Sequence, residues 1–207
     1  MQGTTKVVDV ALCNGKPMVL LAGIGFEAEV VEKADRQTKN RFGTLAYIMA
    51  GLQQLQEFKQ FEATIETDEK IITVAAGAVT IANAAPPTSF LAQGPAGIIY
   101  DDGLLDLTVV APANTAGAIA SAYHLLQTAF RGNAAERDDI GYLRARRLKV
   151  TANPPQKVVV DGEIIGTTPV EVECVPGGLT LIVPGTEDAQ PPEKLEGLPE
   201  LKVEQKL

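Results

Sequence analysis

The sequence predicts a β-rich α+β fold, an antiparallel β-sandwich with about three helices. Three features lead there. Short β-branched and apolar runs recur along the chain, such as KVVDV at 6–10, LLDLTVV at 104–110 and KVVV at 157–160. The pairs Asn14-Gly15 and Asp161-Gly162 lie between such runs and signal two-residue hairpins, because Gly, Asn and Asp tolerate positive φ. Helical signals are confined to the stretch after the first hairpin, where apolar residues recur at three- and four-residue steps, and to 116–130, bounded by Thr115 and Arg131-Gly132.

Taken in order, 6–10 and 17–22 form an opening hairpin around Asn14-Gly15. GIGFEA at 23–28 ends that strand and releases the chain into a charged helix over 27–40. A second helix spans 42–56, where Phe42, Leu45, Ala46, Met49, Leu52 and Leu55 share one stripe and pack on a core. Strands at 62–66 and 71–83 follow, joined by Asp68-Glu69; the small apolar run 74–82 is expected to be covered on both faces. Pro86-Pro87 breaks the run, and 104–110 is a strand. A third helix covers 116–130, with Thr115 as N-cap and Arg131-Gly132 closing it. Further strands read at 146–151, 157–160, 163–165, 170–175 and 179–183. One domain is therefore expected over 1–184, followed by a mobile charged tail over 185–207 that is too poor in apolar residues to build a core.

A net charge of −8 over 207 residues argues against general nucleic-acid binding, which depends on neutralising phosphates. No apolar run is long enough to span a bilayer, and no secretory leader is visible, so a cytoplasmic protein is expected. Cys13 and Cys174 lie far apart in strand-like runs and read as buried small hydrophobes. His124, the single histidine, has no neighbouring Cys or second His and reads as a packed or surface residue.

Several groups could carry chemistry. Asp101-Asp102-Gly103 offers hard oxygens on a turn, which suits magnesium or calcium, or serves only as turn chemistry before a strand. Glu163 follows a tight turn beside Val160 and Ile164. It is placed either as a general base or as a solvated hairpin residue. A hairpin precedes GIGFEA and no strand ending in an acid follows about 20 residues on, so a dinucleotide fingerprint is rejected and the glycines are read as permitting close backbone approach. Arg144, Arg146, Arg147 and Lys149 could meet an anionic head group, although a solvated strand face is the favoured reading.

In order and spacing, several segments resemble the carboxy-terminal domain of bacterial diacylglycerol kinase-like lipid kinases, relatives of sphingosine kinases. They are KVVDVALCNGKPMVLLAGIGFEAEVV at 6–31, FGTLAYIMAGLQQL at 42–55, YDDGLLDLTVV at 100–110, VVVDGE at 158–163, Pro169 and VPGGLTLIVP at 175–184. The resemblance implies ATP-dependent phosphorylation of a lipid hydroxyl, such as that of diacylglycerol, at the inner membrane surface. It implies Glu163 as general base, and a structural Mg2+ held by Asp102 with the backbone carbonyls of Ile99 and Leu104. The GGDGT nucleotide loop of such kinases is not among these residues, so ATP-Mg and activity are expected only with an amino-terminal nucleotide domain. Ala84-Ala85-Pro86-Pro87 also stands where the family carries a glycine-rich stretch. A homodimer is a possible assembly. Residues 158–183 resemble, in addition, the small PEGA interaction modules of envelope proteins, which implies an alternative role as a non-catalytic binding module.

Overall fold

The computed structural model describes residues 4–26, 28–29, 59–86, 89–95, 97–183, 197 and 202–205. Its strands are β1 (Thr4–Cys13), β2 (Lys16–Met18), β3 (Leu21–Gly25), β4 (Phe61–Thr67), β5 (Lys70–Ala76), β6 (Ala78–Ala82) and β7 (Leu105–Val110). They continue as β8 (Ile140–Ala145), β9 (Arg147–Asn153), β10 (Lys157–Val160), β11 (Glu163–Thr167), β12 (Val170–Val183) and β13 (Lys202–Gln205). One α-helix, α1 (Thr115–Arg131), is described over its whole length, and Phe26, Ala28 and Glu29 are helical as well. The strands form a seven-stranded sheet, β13-β5-β4-β9-β12-β1-β2, and a six-stranded sheet, β11-β10-β3-β6-β7-β8. Every pairing is antiparallel.

Alternation places one face of each sheet in a shared core. Phe61, Ala63 and Ile65 of β4 and Ile72 and Val74 of β5 join Ile24, Ile81, Leu107, Leu143 and Val172 there. Cys13 and Cys174 are unbonded to each other and buried in this core, and burial pushes each thiol up to about 11. The outer face of the six-stranded sheet is covered at one end by α1, whose Leu125 packs with Ala78, Leu91, Val110 and Ile140.

Two expected strands prove to be two strands each, because the chain changes sheet inside them. The run 71–83 divides at Gly77 into β5 of one sheet and β6 of the other. Gly77 donates to the Val110 carbonyl (2.8 Å) and accepts from the Phe26 amide (3.2 Å). Gly25, at φ 77°, supplies the close approach expected of GIGFEA. A Cβ there would lie 2.5 Å from Phe61 Cε1 and 3.0 Å from the Gly77 carbonyl oxygen. The run 17–22 likewise divides at Val19-Leu20 into β2 and β3, while Asn14-Gly15 makes the expected hairpin turn with φ 48° and 77°. Conversely, 170–175 and 179–183 are one strand, β12, continuous through Pro176-Gly177-Gly178.

The helix near 116–130 is capped by Asn114 in place of Thr115: Asn114 Oδ1 accepts from the Gly117 amide (2.9 Å), and Gly132 closes the helix at φ 66°. The two helices expected at 27–40 and 42–56 fall outside the described residues, apart from 28–29. Most of the expected tail also lies outside them, while Lys202–Gln205 pairs with β5. The PEGA likeness finds no support. Residues 158–183 are divided between the sheets, with β10 on β3 and β12 between β1 and β9, so they make no separate module.

Candidate functional site

The hairpin β10–β11 carries Glu163 at the edge of the six-stranded sheet, opposite Val160 across the turn. Asp161 and Gly162 both have positive φ, 47° and 87°, which gives the strand-matched turn that Asp-Gly favours. Asp161 does more than turn the chain. Its Oδ2 accepts from the Val19 amide (2.7 Å), and its Oδ1 accepts from the amides of Leu20 (2.9 Å) and Leu21 (3.0 Å). Its own amide donates to the Leu21 carbonyl (3.0 Å). One carboxylate thus rivets the hairpin to the loop where the chain changes sheet. The Glu163 side chain is exposed and makes no hydrogen bond or ion pair with another described residue. Val19, Leu20 and Ile164 stand about the hairpin, exposed to 38%, 40% and 43%.

The loop before β7 is fastened as firmly. Lys6 of β1 donates to the Tyr100 hydroxyl (3.0 Å), lies 4.4 Å from its ring centre and pairs with Asp101 (3.2 Å). Asp9 is 3% exposed on β1, beside an irregularity in its register with β12. Its Oδ2 accepts from Gly103 (2.7 Å), its Oδ1 from Gly177 (2.8 Å), and its amide donates to the Tyr100 carbonyl (2.7 Å). Asn83, at the end of β6, donates through Nδ2 to the Asp9 and Val19 carbonyls, each at 2.9 Å. A continuous polar chain therefore runs from Asp161 through 19–21, Asn83 and Asp9 to Gly103. Neither Asp9 nor Asn83 stands out in the sequence, because each is a polar residue in a strand whose partners are far away along the chain.

Asp102 closes a side-chain turn, its Oδ1 accepting from the Leu104 amide (3.0 Å), while its Oδ2 contacts Arg144 Nη2. Arg144 Nε lies 3.2 Å from Asp106 Oδ1. Burial pushes the Asp106 carboxyl up to about 7, and the Ile99 backbone N–H offsets only part of that. Arg144 is thus not on the solvated face expected of the basic set: it is half-buried on β8, a strand missed in the sequence, with its own pKa lowered by burial. Arg147 and Lys149 do face solvent on β9, paired with Glu173 (2.9 Å) and Glu171 (3.2 Å). His124 is half-buried on α1, its Nε2 accepting from the Glu136 amide (3.3 Å).

Glu163 and the Asp102 loop share one end of the six-stranded sheet. Asp161 bonds Leu21, and Leu21 pairs with Ala82, Ala82 with Asp106 and Asp106 with Arg144. Four strand spacings separate β11 from β7, about 19 Å at the usual interstrand distance. The Asp102 carboxylate offers the hard oxygens that a divalent cation takes, and one of them, Oδ2, lies against Arg144 Nη2. Among the described residues there is no cluster of three or more acidic, His or Cys ligands, so backbone oxygens would have to complete the shell.

The family described as YegS C-terminal NAD kinase beta sandwich-like domain matches residues 21–183. An uncharacterized protein of Synechocystis, sll0036, is 52% identical over 88% of this chain and 42% of its own length. A diacylglycerol kinase of Bacillus subtilis is 28% identical over 83% of this chain and 55% of its own length. The crystal structure of a diacylglycerol kinase from Bacillus anthracis superposes with a TM-score of 0.59 at 19% identity, over 87% of this chain and 55% of that one. That likeness speaks for the fold alone. The chain spans about half the length of the curated relatives it matches. With the family match covering most of the sequence and the sandwich beneath it, the chain belongs to the YegS-type, diacylglycerol kinase-like lipid kinases, as their carboxy-terminal β-sandwich domain.

Proposed function

We propose that this domain supplies the proton acceptor and part of the lipid-facing surface for ATP-dependent phosphorylation of a lipid hydroxyl, with diacylglycerol-like alcohols as the substrate class. The observation that carries the reading is the division of labour in the hairpin. Asp161 is consumed by three backbone amides, and Glu163 two residues on is left exposed on that rigid support. A carboxylate so held takes the hydroxyl proton as the lipid oxygen attacks the γ-phosphorus and ADP departs. Val19, Leu20 and Ile164 offer the apolar body of the lipid a surface beside it.

Phosphoryl transfer needs positioned phosphates, and these belong to a nucleotide domain of the GGDGT kind working beside this one at the membrane surface. Asp102, with the carbonyls of Ile99 and Leu104, would hold Mg2+. The ion would supply positive charge that ties the loop to β7, about four strands from the reacting hydroxyl. Asp9, Lys6 and Leu104 already hold that loop in shape.

The test is an assay of diacylglycerol phosphorylation in mixed micelles, with the chain joined to the nucleotide domain of a diacylglycerol kinase relative. Glu163→Gln should lower kcat by roughly 10²–10⁴-fold with the KM for ATP unchanged. Equal turnover by the two proteins would remove Glu163 from the mechanism.

A further inference from the structure

Helix α1 buries one side and shows a second apolar stripe on the other. Ala118, Ser121, Leu125 and Thr128 form the buried side, where Leu125 joins Val110 and Ile140 in a core cluster. On the open side, Ile119, Tyr123, Leu126 and Phe130 are 49%, 66%, 40% and 74% exposed. Their steps of four, three and four residues are those of a coiled-coil seam, about 17 Å long at the helical rise. Single exposed apolar residues need no explanation, but a row of four large ones marks a surface that meets something.

The stripe is complementary to itself. A two-fold axis crossing α1 between His124 and Leu125 sets Ile119 against Phe130 of a second copy, and Tyr123 against Leu126. Each ring then meets a branched aliphatic chain, and each layer occurs twice. Antiparallel helices also place their dipoles favourably, and Ala120, Ala122 and Ala129 beside the stripe let the two axes approach closely. Charge agrees: in a chain of net charge −8, α1 carries no acid, so two copies meet there without opposing carboxylates. Arg131 is its only Lys or Arg, which leaves out the basic face of a helix that lies on a bilayer. With aromatic side chains of about 150–250 Å² each, the stripe leaves roughly 450 Å² open per copy. Pairing would cover roughly 900 Å² from the stripe alone, and its flanks bring that toward the ~1,200 Å² where specific interfaces begin.

We propose that two copies of this chain associate through α1, packed antiparallel about that two-fold axis. The contact leaves both Glu163 hairpins uncovered. Leu125 of α1 packs with Ala78 and Val110, which lie at the opposite ends of β6 and β7 from Ala82 and Asp106 on the Glu163 side. The inference therefore stands independently of the role of Glu163.

Sedimentation velocity of the full chain over a range of micromolar concentrations tests this. The wild type should pass from monomer to dimer as concentration rises. Leu126→Glu puts two like charges beside the axis and should weaken association by about 100-fold or more. Ile119→Glu and Phe130→Lys should each weaken it as well. The double variant should dimerise more tightly than either single one, because only antiparallel pairing sets position 119 against position 130. A wild type that stays monomeric at every concentration overturns the proposal, whether or not the stripe then binds phosphatidylglycerol vesicles. A dimer left intact by Leu126→Glu overturns it too, and a double variant no tighter than the single ones overturns the antiparallel pairing. These side chains are exposed in the single copy, so each variant should keep the wild-type melting curve. Should one fail to fold, photo-reactive benzoylphenylalanine at position 130 gives a second readout. It should crosslink to the Ile119 turn of a second copy, and crosslinks found only elsewhere overturn the proposal.

Discussion

Two acidic turns stand at the same end of the six-stranded sheet and use their carboxylates in opposite ways. In the β10–β11 hairpin, Asp161 gives both oxygens to the backbone of 19–21, and Glu163 is left unengaged by the described residues. In the loop 100–106, every acid is taken: Asp101 by Lys6, Asp102 by the Leu104 amide and Arg144, and Asp106 by Arg144. The hairpin spends one carboxylate on rigidity to present another; the loop spends all of them holding itself in place. The difference separates a carboxylate suited to accept a proton from carboxylates suited to organise cations.

The comparison can be broken at several points. The largest stability effect is expected at Asp9, which supports the loop from beneath. Asp9→Ala leaves the Gly103 and Gly177 amides without their buried acceptor and should cost about 2–4 kcal/mol, read as a lower denaturant midpoint. Asp161→Ala removes three charge-assisted bonds at a more exposed place and should cost about 1–2 kcal/mol. It should also lower kcat by loosening the support of Glu163; a stable variant with full turnover would show that the rivet does not matter to Glu163. Glu163→Gln itself should change stability by no more than about 0.5 kcal/mol, as expected for an exposed side chain.

A small effect is also expected at Asp139, whose two carboxylate oxygens accept in parallel from Arg137 Nε (2.9 Å) and Nη2 (2.8 Å). Burial alone would raise the Asp139 carboxyl, but bonds from Arg137 and Ser121 (2.7 Å) hold it below the usual carboxylate range. Its folded pKa is therefore below its unfolded value. The stability it contributes is full above the unfolded value and is lost as pH falls through the folded one. Asp139→Asn should cost about 1 kcal/mol or less near pH 7. That cost should disappear in acid melts, and a cost that is constant with pH would mean the charge of Asp139 contributes nothing.

Much of the architecture was legible because it rests on local chemistry. Asn14-Gly15 and Asp161-Gly162 turn where their tolerance of positive φ predicts, and α1 lies where the sequence places its third helix. The changes of sheet at Gly77 and at Val19-Leu20 were not legible, because apolar residues continue through both and alternation alone cannot report which sheet a strand joins. The candidate site was legible in part for the same reason. Glu163 and Asp102 announce themselves beside turn glycines. Asp9, Asn83 and Arg144 act through partners brought close by pairing of distant strands, and a polar residue within a strand reads in sequence as a solvated one.

The account turns on Glu163 as the group that receives the proton. Its most direct test is single-turnover phosphoryl transfer from ATP to diacylglycerol, measured with the nucleotide domain attached, for wild type and Glu163→Gln at equal lipid occupancy. The chemical step should slow by at least about 100-fold in Glu163→Gln while ATP and lipid binding are unchanged. An unchanged chemical step would contradict the account and leave Glu163 an exposed hairpin residue.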